Sequence, residues 1–178
     1  MPNWVTNKVH LFGERALLLE AQNFLRSEES AFDFNKLIPE PVELLKFDAP
    51  VRNARQALKN TQNYGASDWY EWRIKYWQTK WNACDSRCEY IGDELVFVFN
   101  TAWSWPEPIF QALIDKFPEL EIRWEWHEES DVIYVDENND EYNENWYIVE
   151  AGEISKEEIE LGAFRPYSMT SVEPPGNY

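Results

Sequence analysis

Glu94-Leu95-Val96-Phe97-Val98-Phe99-Asn100 and Leu120-Glu121-Ile122-Arg123-Trp124-Glu125-Trp126-His127 are the two stretches from which the fold is read. The first holds an unbroken apolar run. Such a run suits a strand covered on both faces, at the centre of a sheet. The second alternates, with Leu120, Ile122, Trp124 and Trp126 facing inward and Glu121, Arg123, Glu125 and His127 outward. Between them Trp105-Pro106-Glu107-Pro108 opens a helix over Glu107 to Phe117, and Pro118 closes it. The order strand, helix, strand is therefore set in this half of the chain.

The other half repeats it. Trp4 to Phe12 reads as a strand with Val5, Val9 and Leu11 on one face, and Gly13 breaks it. Glu14 to Leu25 is an amphipathic helix with Leu17, Leu18, Ala21, Phe24 and Leu25 as its apolar stripe. Phe32 to Ile38 is predicted as a second strand, ended by Pro39-Glu40-Pro41. Val42 to Ser67 is too long for a plain loop. The spacing predicts a helix near Pro50–Thr61 and another over Asp68–Trp77, with Asp68 as N-cap. The second is aromatic on several sides: Trp69, Trp72 and Tyr76 on one, Tyr70 and Trp77 on another. Such a helix is sandwiched in the protein or lies under a partner.

Beyond His127, Asp131–Asp136 and Asn145–Glu150 are predicted strands flanking the loop Glu137–Glu144. Ile154–Leu161 is predicted as a short acidic helix. The expected fold is α+β, a ferredoxin-like antiparallel sheet with helices on one face. It forms a single domain over residues 1–160, with a helical insertion at 42–90 and an acidic β extension at 119–160. An irregular tail follows at 161–178.

Charge is unevenly spread. Residues 119–160 hold 16 acidic and two basic residues, a net of −14 out of −17 for the whole chain. A concentrated field of this kind is felt by partners at a distance. The chain also has 10 Trp, 9 Tyr and 10 Phe, whereas disordered acidic chains are poor in aromatics. A folded core is expected. No signal peptide and no apolar run of membrane-spanning length is read, so the expected location is the cytoplasm of the host cell. Cys84 and Cys88 are spaced C-x-x-x-C, and the only histidines are His10 and His127. That is too few ligands, at the wrong spacing, for a zinc site, so both thiols are expected to be free.

Four segments carry a resemblance. They are Pro2-Asn3-Trp4-Val5-Thr6-Asn7-Lys8-Val9, Phe32-Asp33-Phe34-Asn35-Lys36-Leu37-Ile38-Pro39, Thr79-Lys80-Trp81-Asn82-Ala83, and Thr101-Ala102-Trp103-Ser104-Trp105-Pro106-Glu107-Pro108. In this order they resemble the YubB-type family of ferredoxin-like proteins of conjugative plasmids, phages and integrated elements. The resemblance implies the ferredoxin-like fold and a mobile-element origin, and it assigns no activity to any residue. Members often carry glycine before the Thr-Lys-Trp-Asn-Ala run, where this chain has Gln78.

The residues bear on several chemistries. The segment around Lys80, Trp81, Asn82, Thr101 and Trp103 reads either as a small pocket or as core rings with turn-capping Asn and Thr, and the second is favoured. Asp136, Asn138 and Asp140 have calcium-loop spacing. Glu141 stands where glycine belongs, however, and Tyr147 where the bidentate Glu belongs. Paired carboxylates without a His or Lys partner argue against acid–base catalysis, so no enzyme activity and no cofactor is expected. The excess of acids has the wrong sign for binding a phosphate chain directly.

The leading expectation is a mobile-element interaction protein. It would block a host nucleic-acid-binding defence protein, in the manner of an anti-CRISPR or anti-restriction DNA mimic. Its partner surface comprises Glu121, Glu125, Glu128, Glu129, Asp131, Asp136, Glu137, Asp140, Glu141 and Glu144. A second candidate surface is aromatic: Trp69, Trp72 and Trp81. The competing expectation is a small-molecule- or RNA-binding ferredoxin-like domain whose acidity serves solubility only.

Overall fold

A computed structural model describes residues 3–128, 133–135, 141–143, 146–150 and 153–157. The strands are β1 (Trp4–Phe12), β2 (Cys84–Ile91), β3 (Glu94–Ala102), β4 (Glu121–Glu128), β5 (Ile133–Val135), β6 (Glu141–Asn143), β7 (Trp146–Glu150) and β8 (Glu153–Glu157). The helices are α1 (Arg15–Leu25), α2 (Ala54–Tyr64), α3 (Trp69–Tyr76) and α4 (Glu107–Lys116). Six strands form one sheet in the order β2-β3-β1-β4-β7-β8, every neighbouring pair antiparallel. β3 lies between β1 and β2, and β1 lies between β3 and β4. Two split β-α-β units therefore interleave, which is the ferredoxin-like arrangement.

The helices share one face. Val5, Val9 and Leu11 of β1, Leu95, Phe97 and Phe99 of β3, and Ile122 and Trp124 of β4 meet Leu18, Ala21 and Leu25 of α1 and Ile109, Phe110 and Leu113 of α4 in a single buried cluster. Aromatic rings fill its centre. Phe32 is fully buried, with Phe97, Phe99, Phe34 and Trp124 at centroid distances of 5.2, 4.9, 6.0 and 6.0 Å. Asn7 is buried among them and is not a defect. Its Nδ2 donates to Thr101 Oγ1 at 2.9 Å and its Oδ1 accepts from Trp124 Nε1 at 3.1 Å. A buried amide left unpaired would cost several kcal/mol, roughly 2–7, so this network is a condition for the core.

Three expectations are corrected. Phe32–Ile38 is not a strand but a loop with a 3-10 turn at Phe34–Lys36. Its backbone donors are taken by partners other than a neighbouring strand. Asp33 N binds Leu25 O, Phe34 N binds Asn82 Oδ1, and Leu37 N and Ile38 N bind Phe34 O. The second strand of the fold is instead β2, inside the stretch assigned to the helical insertion. Finally, Glu141–Asn143, in the expected loop, is a strand paired with Ile133–Val135, and Glu153–Glu157, where the expected helix begins, is a strand against β7. Strands do form at Ile133–Val135 and Trp146–Glu150 as expected, the latter joining the main sheet against β4. The register of β7 against β8 pairs Glu150 with Glu153 and Trp146 with Glu157.

The two inserted helices form close to where they are expected. Asn53 caps α2 through Arg55 N and Gln56 N, and Gly65 ends it at φ 78°. Asp68 caps α3 through Glu71 N, an interaction worth about 1 kcal/mol. Trp72 and Trp77 are buried, and Trp77 Nε1 donates to Ile38 O at 2.9 Å. Tyr70 is exposed. The aromatic helix is thus anchored to the core on one side and open on another.

Candidate functional site

Two surfaces stand out. The first lies where the Thr79–Ala83 and Thr101–Trp105 segments meet at the end of β3. Thr79 is fully buried; its hydroxyl accepts from Ala102 N and donates to Ala102 O, both at 3.0 Å. Thr101 is also buried and donates to Ser104 O at 2.8 Å. Asn82 accepts from Phe34 N and Ala83 N and donates to Asp33 Oδ1 at 2.7 Å. Burial works against the Asp33 charge, but the hydrogen bonds from Asn82, Asn35 and Ser27 hold its carboxyl below the usual range. These polar residues therefore hold turns, as expected.

Of the tryptophans in the same segments, Trp105 packs on the core against Trp126 at 4.2 Å, but Trp81 and Trp103 do not fill it. Trp103 is 44% exposed and Trp81 is half-buried. Trp103 has φ 71°, a conformation that bulky side chains rarely adopt. Its backbone is fixed there: Trp103 N donates to Asn3 O at 2.9 Å, and Ser104 Oγ bonds Gln78 O on the facing turn. Lys80 Nζ lies 4.6 Å from the Trp81 ring, 5.7 Å from Trp103 and 6.0 Å from Tyr70. Trp69 sits beside Tyr70 at 6.0 Å and under the Arg73 guanidinium at 4.9 Å. Of the three aromatic residues predicted, Trp69 and Trp81 flank this patch. Trp72 does not, because it is 5% exposed and packed on Trp77. Tyr70, Lys80 and Trp103 complete it.

Gln78 has φ 59°. Only glycine adopts that conformation without a steric cost. Gln78→Gly should raise the unfolding free energy by about 0.5–1 kcal/mol in urea titration. A loss of stability would mean that the Gln78 side chain makes a contact worth more than the strain.

The second surface is the sheet face away from the helices. Lys8, His10, Val96, Val98, Glu125, His127 and Ile148 are all buried there. His10 Nδ1 is 2.9 Å from Glu94 Oε2, and its Nε2 is 3.8 Å from Glu125 Oε1, an ion-pair distance rather than a hydrogen bond. Arg123 Nε is 2.9 Å from the same Glu125 oxygen. Burial opposes the charge on His10, but Glu125 and Glu94 together hold its pKa above the ordinary value. Burial likewise opposes the Glu125 charge, and His10, Arg123 and Lys8 hold that carboxyl below its ordinary value. For Lys8, burial outweighs Glu125 and lowers the pKa.

The signs fix a pH window. His10 contributes stability below its unfolded pKa of about 6.5 and loses it as pH rises through the raised folded value. Glu125 contributes above the ordinary carboxylate range and loses it as pH falls through its lowered value. The stability difference between the protein and its His10→Gln variant should therefore shrink as pH is raised from about 6 to about 8. Thermal unfolding across that range measures it. A difference that does not move with pH would show that the fold leaves the His10 pKa unchanged, and one that moves the other way would show that the fold holds His10 neutral.

The predicted acidic residues divide. Glu121 is exposed at the start of β4, and Glu128 is half-buried at its end. Glu125 is on the expected face, but it is 5% exposed and ion-paired, so it offers little charge to a partner. Glu141 lies in β6. Glu129, Asp131, Asp136, Glu137, Asp140 and Glu144 lie outside the described residues, as does most of the calcium-like spacing. Cys84 and Cys88 are free thiols in β2, with Cys84 raised to about 11 by burial and by Asp85. Among the described residues no group of three or more His, Cys, Asp or Glu gathers to hold a metal, and no helix is long and apolar enough to cross a membrane.

The sheet order, the shared helix face and the two interleaved units define a ferredoxin-like α+β domain. Residues 76–161 match the family model described as the ferredoxin-like domain in Api92-like protein. The matched span runs from the end of α3 through β8. It omits β1, which pairs between β3 and β4, so the central strand of the sheet comes from outside it. No curated protein and no solved structure matches the chain.

Proposed function

We propose that the protein is a non-catalytic acidic binding module that occupies the basic nucleic-acid channel of another protein, its carboxylates standing in for phosphates. The observation that carries this reading is the −14 charge of residues 119–160 together with the side-by-side pairing of β4, β7 and β8. A single strand is too sparse, since same-face residues recur every ~6.6 Å while duplex DNA offers one charge per ~1.7 Å. Strands ~4.8 Å apart multiply the density. Glu121, Glu128, Glu150, Glu153 and Glu157 all belong to these three adjacent strands, and the register joins Arg123, Glu150 and Glu153 in one row.

The YubB-type resemblance, with its mobile-element origin, makes a host defence nuclease or CRISPR effector the target class. The test is capture from host cytosol followed by competition. A genuine target should be a nucleic-acid-binding protein, should be released as salt rises, and should be displaced by duplex DNA. A captured protein that duplex DNA does not displace would overturn the mimic reading. Failure to capture any basic protein would leave the acidity as a solubility device.

A further inference from the structure

The acidic chain has one basic, aromatic stretch of sequence. Residues 51–80 hold six basic and two acidic residues, a net of +4 within a chain of −17. Arg52, Arg55 and Lys59 of this stretch are exposed. Arg73 is committed to Glu40 through two hydrogen bonds, 2.9 and 2.7 Å, and Lys75 donates to Gly65 O. Lys80 is different: among the described residues its ammonium is met by three rings and by no carboxylate. Beside it Trp103 and Tyr70 are 44% and 38% exposed, with ring centroids 6.4 Å apart and nearly perpendicular.

We propose that Lys80, Trp103, Tyr70 and Trp81 form a binding site for a nucleotide unit of single-stranded nucleic acid, the base stacking on Trp103 and a phosphate meeting the Lys80 ammonium. Three observations carry it. The exposed indole is held rigidly outward by a backbone in the left-handed region, an arrangement that a residue merely filling space would not need. The cation already among the rings repels a second cation, which excludes the methyl-ammonium and arginine ligands that aromatic cages usually take. Charge complementarity then favours a planar anion. Every base has a π-face, so a Trp platform with one cation selects nucleotides without reading their sequence.

The position is also distinct from the sheet face used by other ferredoxin-like folds to stack bases. Here that face carries buried Lys8, His10 and Glu125. The site does not depend on the acidic mimic reading, and the two are tested separately.

The test is fluorescence anisotropy of a labelled oligo-deoxythymidine on the purified full chain, with a duplex of the same length as comparison. The single strand should bind more tightly, because its bases are free to stack. Its affinity should fall only shallowly with salt, with a log–log slope near about −0.7 for one phosphate contact. Trp103→Gly relieves the strained backbone while deleting the ring. It should fold at least as stably as the parent and weaken binding about 5- to 100-fold, the worth of one stacked base. Lys80→Gln should weaken binding and flatten the salt dependence. Absence of binding at millimolar protein overturns the proposal, as does unchanged affinity in folded Trp103→Gly. A neutral oligosaccharide that binds as well, and is lost in Trp103→Gly but kept in Lys80→Gln, would also overturn it.

Discussion

Phe32→Ala should lower the unfolding free energy by about 3–5 kcal/mol, a large share of the 5–15 kcal/mol typical of a domain. The residue sits in a loop, where substitutions are usually mild. Its ring is nevertheless fully buried against β3 and β4 side chains, with Phe97, Phe99 and Trp124 as ring neighbours. The loop cannot easily collapse into the cavity, because Asp33 N, Phe34 N and Ile38 N are each tied to fixed partners. Removing the ring leaves a void that the flanking aromatics line but do not fill. Urea denaturation of the variant against Phe32→Leu separates the cavity from the loss of aromatic geometry. A loss below about 1 kcal/mol would mean that the loop is not docked as described.

Neutralising Asp136, Glu137, Asp140, Glu141 and Glu144 together, as Asn or Gln, should slow partner association by about tenfold or more while the fold survives. Five charges are removed at nearly constant side-chain size. Solvated like charges contribute little to stability, and removing them relieves repulsion. The effect should therefore appear in the association rate at low salt and fade at high salt. Surface plasmon resonance against the captured partner reads both. An unaltered rate in a folded variant would take this segment out of the interface and move attention to Glu121 and Glu128 on β4.

Much of the architecture was legible because its strongest signals are those of the core. The alternation at Leu120–His127 and the apolar run at Leu95–Phe99 name strands that are central, and the structure keeps both in one antiparallel sheet. β2 is hard to read from sequence because it is an edge strand with none of its residues fully buried. Cys-Asp-Ser-Arg-Cys-Glu-Tyr-Ile shows no clean period. A signal was available in Ile91-Gly92-Asp93-Glu94, where a glycine at φ 61° opens a two-residue hairpin. Phe32–Ile38 was misread because apolar residues near a proline look like a strand. Their hydrogen bonds go to Asn82 and Leu25, far away in sequence, and no local pattern encodes that.

The candidate site was legible in part. Trp69 and Trp81 were singled out, but Trp103 was taken for core, because tryptophan usually is. Only the left-handed backbone at that position distinguishes it, and residue type does not announce backbone conformation. Glu125 illustrates the converse. Alternation gave its face correctly, yet that face is itself covered at His10 and Glu125.

The irregularity in β2 blunts an outer margin of the sheet. The strand pairs regularly with β3 from Arg87 to Ile91, but its register shifts between Cys84 and Arg87, and Asp85 takes φ 52° there. Ser86 at the same point receives Ala31 N at 2.8 Å and bonds Ser30 Oγ at 2.8 Å, so the loop after α1 leans on the break. A straight outer strand offers a ready template for another chain, and a bulge with a charged residue removes it. At the high local concentrations reached during synthesis, the break disfavours strand-to-strand pairing of two copies along the Cys84–Arg87 part of this margin. An aromatic-rich chain is thereby spared one common route into aggregates.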